Sequence, residues 1–214
     1  LGSAAMMHKC KSVSGGPSAD LGQCVAKAFD SQVLDKDGTQ KYAYTTAWGV
    51  STRRIGALIM AHGDQRGLVL PPVVAPVQAI LIPIAAKKEG VLEAVADLKA
   101  KLLASGIRAD SDTTDNSPGW KFNEWEMKGV PLRIELGPRD IEAGKMVLVR
   151  RDTHEKVEAP LENAAETVQK LLADLQSNLL KMARRRTEER GVSADNMDEL
   201  RKGVEGGNFV KSGW

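Results

Sequence analysis

The sequence has 214 residues, 42% hydrophobic and 27% charged, which suits a soluble globular protein of one large or two modest domains. Lys and Arg total 30 against 28 Asp and Glu, a formal net charge of +2, so any nucleic-acid-binding surface must be local. Cys10 and Cys24 have no second ligand pair, which argues against a disulfide scaffold or zinc site and suits a reducing cytoplasm, and no apolar run reaches the roughly 20 residues of a membrane span.

From Met6 to Ser18 the chain reads as a loop, because Gly15-Gly16-Pro17 interrupts regular structure. Leu21, Val25, Ala28 and Phe29 then fall at helical spacing, Asp35-Lys36-Asp37-Gly38 forms a hairpin turn, and Tyr42 to Trp48 reads as a strand. Ser51 and Thr52 are residues of N-cap type ahead of Ile55, Leu58 and Ile59, and Gly63 stands where a helix stops. This pattern predicts a helix from about residue 52 to 62. Arg53 falls in its first turn, where free N–H groups and the positive dipole end favour an anion. It is therefore either an ordinary surface arginine or the partner of a bound anion.

Asp64 to Gly67 is a polar turn, and Leu70 to Pro76 is a proline-punctuated connector at which a domain boundary is expected. Ala79 to Ile84 is a continuous apolar run, the form of a strand covered on both faces. Val91, Leu92, Val95, Leu98, Leu102 and Leu103 predict a helix from Gly90 to Ser105, and a strand follows at Ile107 to Asp110. That is a parallel crossover, so this half is α/β.

Asp112 to Pro118 is a polar loop and Gly119 to Lys128 a short helix with Trp120, Phe122 and Trp125. Val130 to Leu136 alternates as a strand, Gly137 to Asp140 turns, Lys145 to Arg151 is another strand, and His154 marks an exposed hairpin tip. Glu162 to Arg190 predicts a long helix with Ala165, Val168, Leu171, Leu172, Leu175, Leu179 and Met182 on one face. At its far end Lys181, Arg184, Arg185, Arg186 and Arg190 suit either a solvated helix terminus or a phosphate-backbone contact. The last residues, Gly203 to Trp214, are punctuated by glycine.

Trp48-Gly49-Val50-Ser51-Thr52-Arg53, then Ile55 to Met60, His62-Gly63-Asp64 and Gly67 to Pro72, together resemble the third signature motif of a class II aminoacyl-tRNA synthetase. The version is that of the prolyl-tRNA synthetase family in its archaeal and eukaryotic-like form, and Lys121 to Asp140 again resembles it. The resemblance implies an α/β chain: the end of an antiparallel-sheet catalytic domain over 1–72, a mixed-sheet anticodon-binding domain over 73–192, and the start of a truncated extension over 193–214.

By the same resemblance Arg53 is the catalytic arginine, packing on the adenine of ATP and reaching its phosphates, while Trp48, Gly49, Ser51 and Thr52 complete the ATP and proline site. Phe122, Glu126, Arg133, Arg139 and Asp140 fall where the family reads the two guanines of the proline anticodon. Arginines suit the guanine acceptor edge and carboxylates its N1–H and amino donors. The implied reaction joins proline to its tRNA with ATP and Mg2+ in a homodimeric protein that uses neither membrane nor DNA, with no metal site in this chain. The first and second class motifs are expected upstream of Leu1, so the chain alone is expected to be inactive.

A Gln-Ala-Gly-Thr-Ser-His segment of the family falls here on Ser14-Gly15-Gly16-Pro17-Ser18-Ala19, so Ser14, Pro17 and Ala19 replace three polar ligands. That departure supports an alternative: a non-catalytic tRNA-binding or regulatory paralogue with a decayed pocket. An ordinary nucleotide-binding α/β protein is set aside, because Ala85 to Gly90 is no phosphate loop.

Overall fold

The computed structural model describes residues 2–6 and 12–213, which leaves Cys10 outside the described residues. Two compact units emerge, one of residues 1–61 with 190–214 and one of residues 62–189.

The first unit opens with β1 (Gly2–Met6), β2 (Ser12–Gly22), α1 (Cys24–Ala28), β3 (Gln32–Leu34), β4 (Gln40–Tyr42), β5 (Thr45–Trp48) and α2 (Arg53–His62). Three of these strands form an antiparallel sheet in the order β1-β2-β5. The loop expected from Met6 to Ser18 is therefore strand from Ser12 onward. Pro17 is tolerated because the β1 ladder ends at Gly2↔Pro17 and the β5 ladder begins at Ser18↔Trp48. The single strand expected from Tyr42 to Trp48 is divided: β4 closes a hairpin with β3, whereas β5 joins the other sheet. Nor is the apolar face expected of the first helix buried. Only Ala26 of α1 is buried, and Phe29 is 79% exposed.

In the second unit follow β6 (Ala79–Pro83), α3 (Val91–Ala104), β7 (Ala109–Ser111), α4 (Pro118–Met127), β8 (Leu132–Leu136), α5 (Pro138–Glu142), β9 (Lys145–Arg150), β10 (Lys156–Pro160) and α6 (Ala164–Glu189). Its sheet is mixed, in the order β10-β9-β8-β6-β7, with β7, β6 and β8 parallel and β8, β9 and β10 antiparallel. This is the mixed-sheet α/β arrangement that the sequence implied.

All of β6 is buried, as its apolar run required. Ala79, Leu81, Leu132, Ile134 and Leu148 face α3 and α6 in one core with Val95, Leu102, Val168 and Leu172. On the other face Ile80, Ile82 and Val130 pack with Phe122 and Trp125 of α4. Each large apolar side chain fully buried here contributes about 1.5–3 kcal/mol.

The unit begins ahead of the Leu70–Pro76 connector because the preceding residues are built into it. Leu68 and Leu70 donate their N–H groups to Met127 and Gly129 carbonyls at 3.0 and 3.1 Å, and Val69 packs on Leu175 and Leu179. Gly129, at φ 74°, is required there: a Cβ would lie 2.6 Å from Leu68 Cβ. The turn expected at Gly137 to Asp140 opens a short helix instead. Pro138 occupies its first turn, and the Asp140 carboxylate reaches back to accept from Gly137 N at 2.9 Å.

After α6 come β11 (Gly191–Ala194), α7 (Met197–Glu205) and β12 (Phe209–Ser212), with β11 and β12 parallel. The Asn196 side chain caps α7 by accepting from Glu199 N at 2.9 Å.

Candidate nucleic-acid interface

Helix α4 is fixed over the sheet by a buried polar cluster. Lys121 and Asp112 side chains are 3% and 5% exposed and 3.7 Å apart, and Lys121 Nζ donates to the Asp112 carbonyl at 3.0 Å. Trp125 Nε1 and Thr114 Oγ1 donate to the Asp112 carboxylate at 2.7 and 2.6 Å. Burial alone pushes this carboxyl up, but the Thr114 and Trp125 hydrogen bonds and the Lys121 charge hold it below its ordinary value. With α4 set in this way, Phe122 and Glu126 reach the sheet.

Strand alternation supplies the facing residues. Ile80, Arg133, Val149 and Lys156 stand in one row across β6, β8, β9 and β10. A cavity of about 200 Å³ opens over this row, lined also by Arg66, Glu126, Arg150 and His154. Glu126 Oε1 accepts from Arg66 Nη1 at 2.9 Å and lies 3.2 Å from His154 Nδ1, so Oε2 is the oxygen left for a ligand. Arg133 turns Nε and Nη2 to Glu135 Oε1, both at 3.0 Å, and stacks 4.1 Å from the centroid of the Phe122 ring. Its Nη1–Nη2 edge remains for a planar acceptor pair.

The structure therefore brings Phe122, Glu126 and Arg133 together. Arg139, exposed, and Asp140, tied to Gly137, lie on α5 past the end of β8 and do not line this cavity. Arg66, Arg150, Arg151, His154 and Lys156 were not singled out from the sequence as site residues. His154, read as a merely exposed hairpin tip, has φ 58° and sits against Glu126. Arg150 grips Asp152 with two hydrogen bonds of 2.9 and 2.8 Å, and Asn178 donates to the same carboxylate at 2.7 Å.

Arg151 is the anchor of the polar turn. It donates to both Asp64 oxygens at 2.7 Å and to the Glu126 carbonyl at 3.0 Å, which holds the turn carrying Arg66 against α4. The Arg151 hydrogen bond, against the opposing effect of partial burial, brings the Asp64 carboxyl from 3.8 to about 2. A folded value below the unfolded one means the pair stabilises fully above about pH 4 and is lost as pH falls toward 2. Urea midpoints of Asp64→Asn should accordingly fall less steeply than those of the parent over that interval; parallel curves would show that the pair adds no stability.

In the first unit, Trp48 ends β5 and Gly49 follows it, Ser51 and Thr52 lead into α2, and Arg53 opens that helix. Ser51 and Thr52 carbonyls accept from Arg54 N and Ile55 N at 3.1 and 2.9 Å, which starts the helix as predicted. Trp48 (77%), Ser51, Thr52 and Arg53 are exposed, Gly49 is half-buried, and Ile55 is 62% exposed, so the apolar stripe of α2 is not covered at its start. Gly49 N donates to the Pro17 carbonyl at 3.2 Å, and Ala19 pairs with Ala47, so the substituted positions Pro17 and Ala19 adjoin the Trp48–Arg53 stretch. Ser14 lies in β2, with its side chain outside the described residues. Close approach at this point demands glycine, since a Cβ on Gly16 would meet the Gly49 carbonyl at 2.5 Å and Arg54 Nη2 at 2.9 Å.

The first turn of α2 holds no acidic residue, and among the described residues no group of three or more His, Cys, Asp or Glu side chains converges. No helix among them is long and apolar enough to cross a membrane.

Residues 78–171 match the family model described as an anticodon binding domain. The chain is similar to a proline–tRNA ligase of Oceanobacillus iheyensis, 49% identical over 210 residues that make up 98% of this chain and 44% of the relative. A proline–tRNA ligase of Ruminiclostridium cellulolyticum matches equally, also at 49% identity. Among solved structures, a prolyl-tRNA synthetase from Cryptosporidium parvum complexed with L-proline and AMP superposes with a TM-score of 0.91 at 39% identity, covering 96% of this chain and 45% of that one. The chain thus spans less than half the length of the relatives it matches.

Proposed function

The chain belongs with the prolyl-tRNA synthetases, to which it is homologous along 98% of its length, and on that premise we propose that its second unit reads the anticodon of proline tRNA while its first unit supplies part of the aminoacylation site. The observation that carries the reading is the convergence of Glu126 and Arg133 on one cavity, with Phe122 stacked on Arg133, in the stretch that matches an anticodon binding domain. Arg133 meets the acceptor edge of a guanine, and Glu126 Oε2 accepts from the N1–H and amino donors of a guanine. Arg139 and Asp140 contact the same loop from the end of β8.

For the whole protein the proposed reaction is activation of proline: its carboxylate attacks the α-phosphorus of ATP, pyrophosphate leaves, and the prolyl group then passes to the tRNA 3′ end with release of AMP. Arg53 is the proposed catalytic residue, stacking on adenine and meeting phosphate at the start of α2, while Trp48, Gly49, Ser51 and Thr52 bound the proline and ATP. Mg2+ is proposed to enter with ATP. The proposed setting is a cytoplasmic homodimer.

A second reading, a tRNA-binding paralogue without catalysis, draws on the replacement of three polar positions by Ser14, Pro17 and Ala19. ATP–pyrophosphate exchange by the full-length protein separates the two. For the second unit the test is binding to a proline tRNA transcript and to one with both anticodon guanines changed, at two salt concentrations. A preference of about 2 kcal/mol or more for the native transcript is expected. Equal affinity for both, falling together with salt, would leave only a phosphate-backbone binder.

A further inference from the structure

Next to the cavity lies a second depression of about 420 Å³, lined by Arg66, Trp120, Asn123, Glu124, Glu126 and Met127. Arg66 and Glu126 line both, so the two are neighbours. Trp120, Asn123, Glu124 and Met127 follow the i, i+3, i+4, i+7 spacing and therefore share one stripe of α4. Unlike Trp125, whose indole N–H is spent on Asp112, Trp120 is 50% exposed, and Met127 is 56% exposed.

Ser117 caps the first turn of α4 by accepting from Trp120 N at 3.4 Å, so the indole is carried on an ordered turn rather than a loose loop. Its open surface is one ring and one thioether, much smaller than the apolar core of a stable protein–protein interface. That size fits a single flat ring. The Arg66 side chain, 62% exposed, stands between the two depressions and supplies the positive charge a phosphate linking two nucleotides needs.

We propose that this depression is a stacking platform for one unpaired nucleobase, the neighbour of the base that enters the cavity, with Arg66 at the phosphate between them. The platform is indifferent to base identity, because every nucleobase has a π face, so it adds affinity without adding sequence preference. The inference rests on the anticodon-reading function of the cavity and extends it to a further nucleotide.

The test titrates the whole chain with anticodon stem-loop RNAs of proline type, one native, one with its guanines changed and a set carrying a single abasic site at each loop position in turn. Trp120→Ala is expected to weaken the native RNA about tenfold, Trp120→Phe to recover most of that loss, and the guanine preference to stay unchanged. One abasic RNA, altered beside the guanines, should bind the parent chain about tenfold more weakly and show no further loss with Trp120→Ala. Full affinity of Trp120→Ala for the native RNA overturns the proposal. So does a loss that persists on every abasic RNA, or one that takes the guanine preference with it, since either makes Trp120 a general support of α4. Equal binding of the native and guanine-changed RNAs by the parent chain defeats the reading of the cavity instead, and coupling to one abasic position would still be seen in that case.

Discussion

Arg133→Ala should abolish most of the preference for the native proline anticodon, a loss of about 2 kcal/mol or some thirtyfold in the ratio of affinities for native and guanine-changed transcripts. The size follows from the geometry. Arg133 has its Nε–Nη2 edge on Glu135 and its plane on Phe122, so the guanidinium is already oriented and its second edge is free to meet the proposed guanine without further ordering. Arg133→Lys keeps the charge but not the fork, and should recover overall affinity more than discrimination. Removing the arginine leaves Lys156, 3.9 Å from Glu135, as its remaining cation, so the fold should tolerate the change. Were the variant to retain the parent's affinity ratio, Arg133 would have no part in reading the anticodon.

The largest expected effect on stability is that of Asp112→Ala. Truncation takes the counter-charge from the buried Lys121 ammonium, leaving it the Asp112 main-chain carbonyl, and removes the acceptor of Trp125 Nε1, Thr114 Oγ1 and Thr114 N together. Breaking one side of a buried pair of this kind costs about 3–5 kcal/mol, several times the value of a surface ion pair. Asp112→Asn, which retains an acceptor, should lose less. Urea unfolding followed by tryptophan fluorescence, with the transition of the second unit resolved from the first, measures both; a shift under about 1 kcal/mol for the alanine variant would mean the cluster is not what holds α4. Because α4 carries Phe122 and Glu126, the same variant should also bind RNA less tightly.

What could be read in the sequence was whatever rests on periodicity. The apolar run of β6, the long stripe of α6 and the alternation of β8 emerge where expected, and so does the α3 face at Val91, Val95, Leu98 and Leu102, although Leu92 and Leu103, read as part of it, are exposed. Strand β2 was hidden because Gly15, Gly16 and Pro17 are poor strand formers on their own; pairing with β1 and β5 overrides that preference. For Leu21, Val25 and Phe29 the spacing was helical, yet spacing does not reveal what lies opposite, and here they stay exposed.

Of the candidate cavity's lining, Glu126 and Arg133 were singled out through motif resemblance alone. Arg66 and Arg151 were missed because their partners are 60 and 87 residues away in sequence, and no local pattern encodes such a pairing. The signal that flags Arg151 is its place beside a strand otherwise rich in valine and leucine, where an unpaired cation would be costly.

The strict alternation of β8, with Leu132, Ile134 and Leu136 in the core and Arg133 and Glu135 on the open face, also sets a length scale. Side chains on one face of a strand recur every 6.6–6.8 Å or so. Stacked nucleotides advance about 3.4 Å each. Such a face is a ruler graduated twice as coarsely as stacked nucleic acid: a continuous stack laid along it offers only every second base to a side chain, and successive bases reach successive side chains only when they splay apart. The pleat of the strand thereby favours an open loop over a continuous stack before any individual base is read.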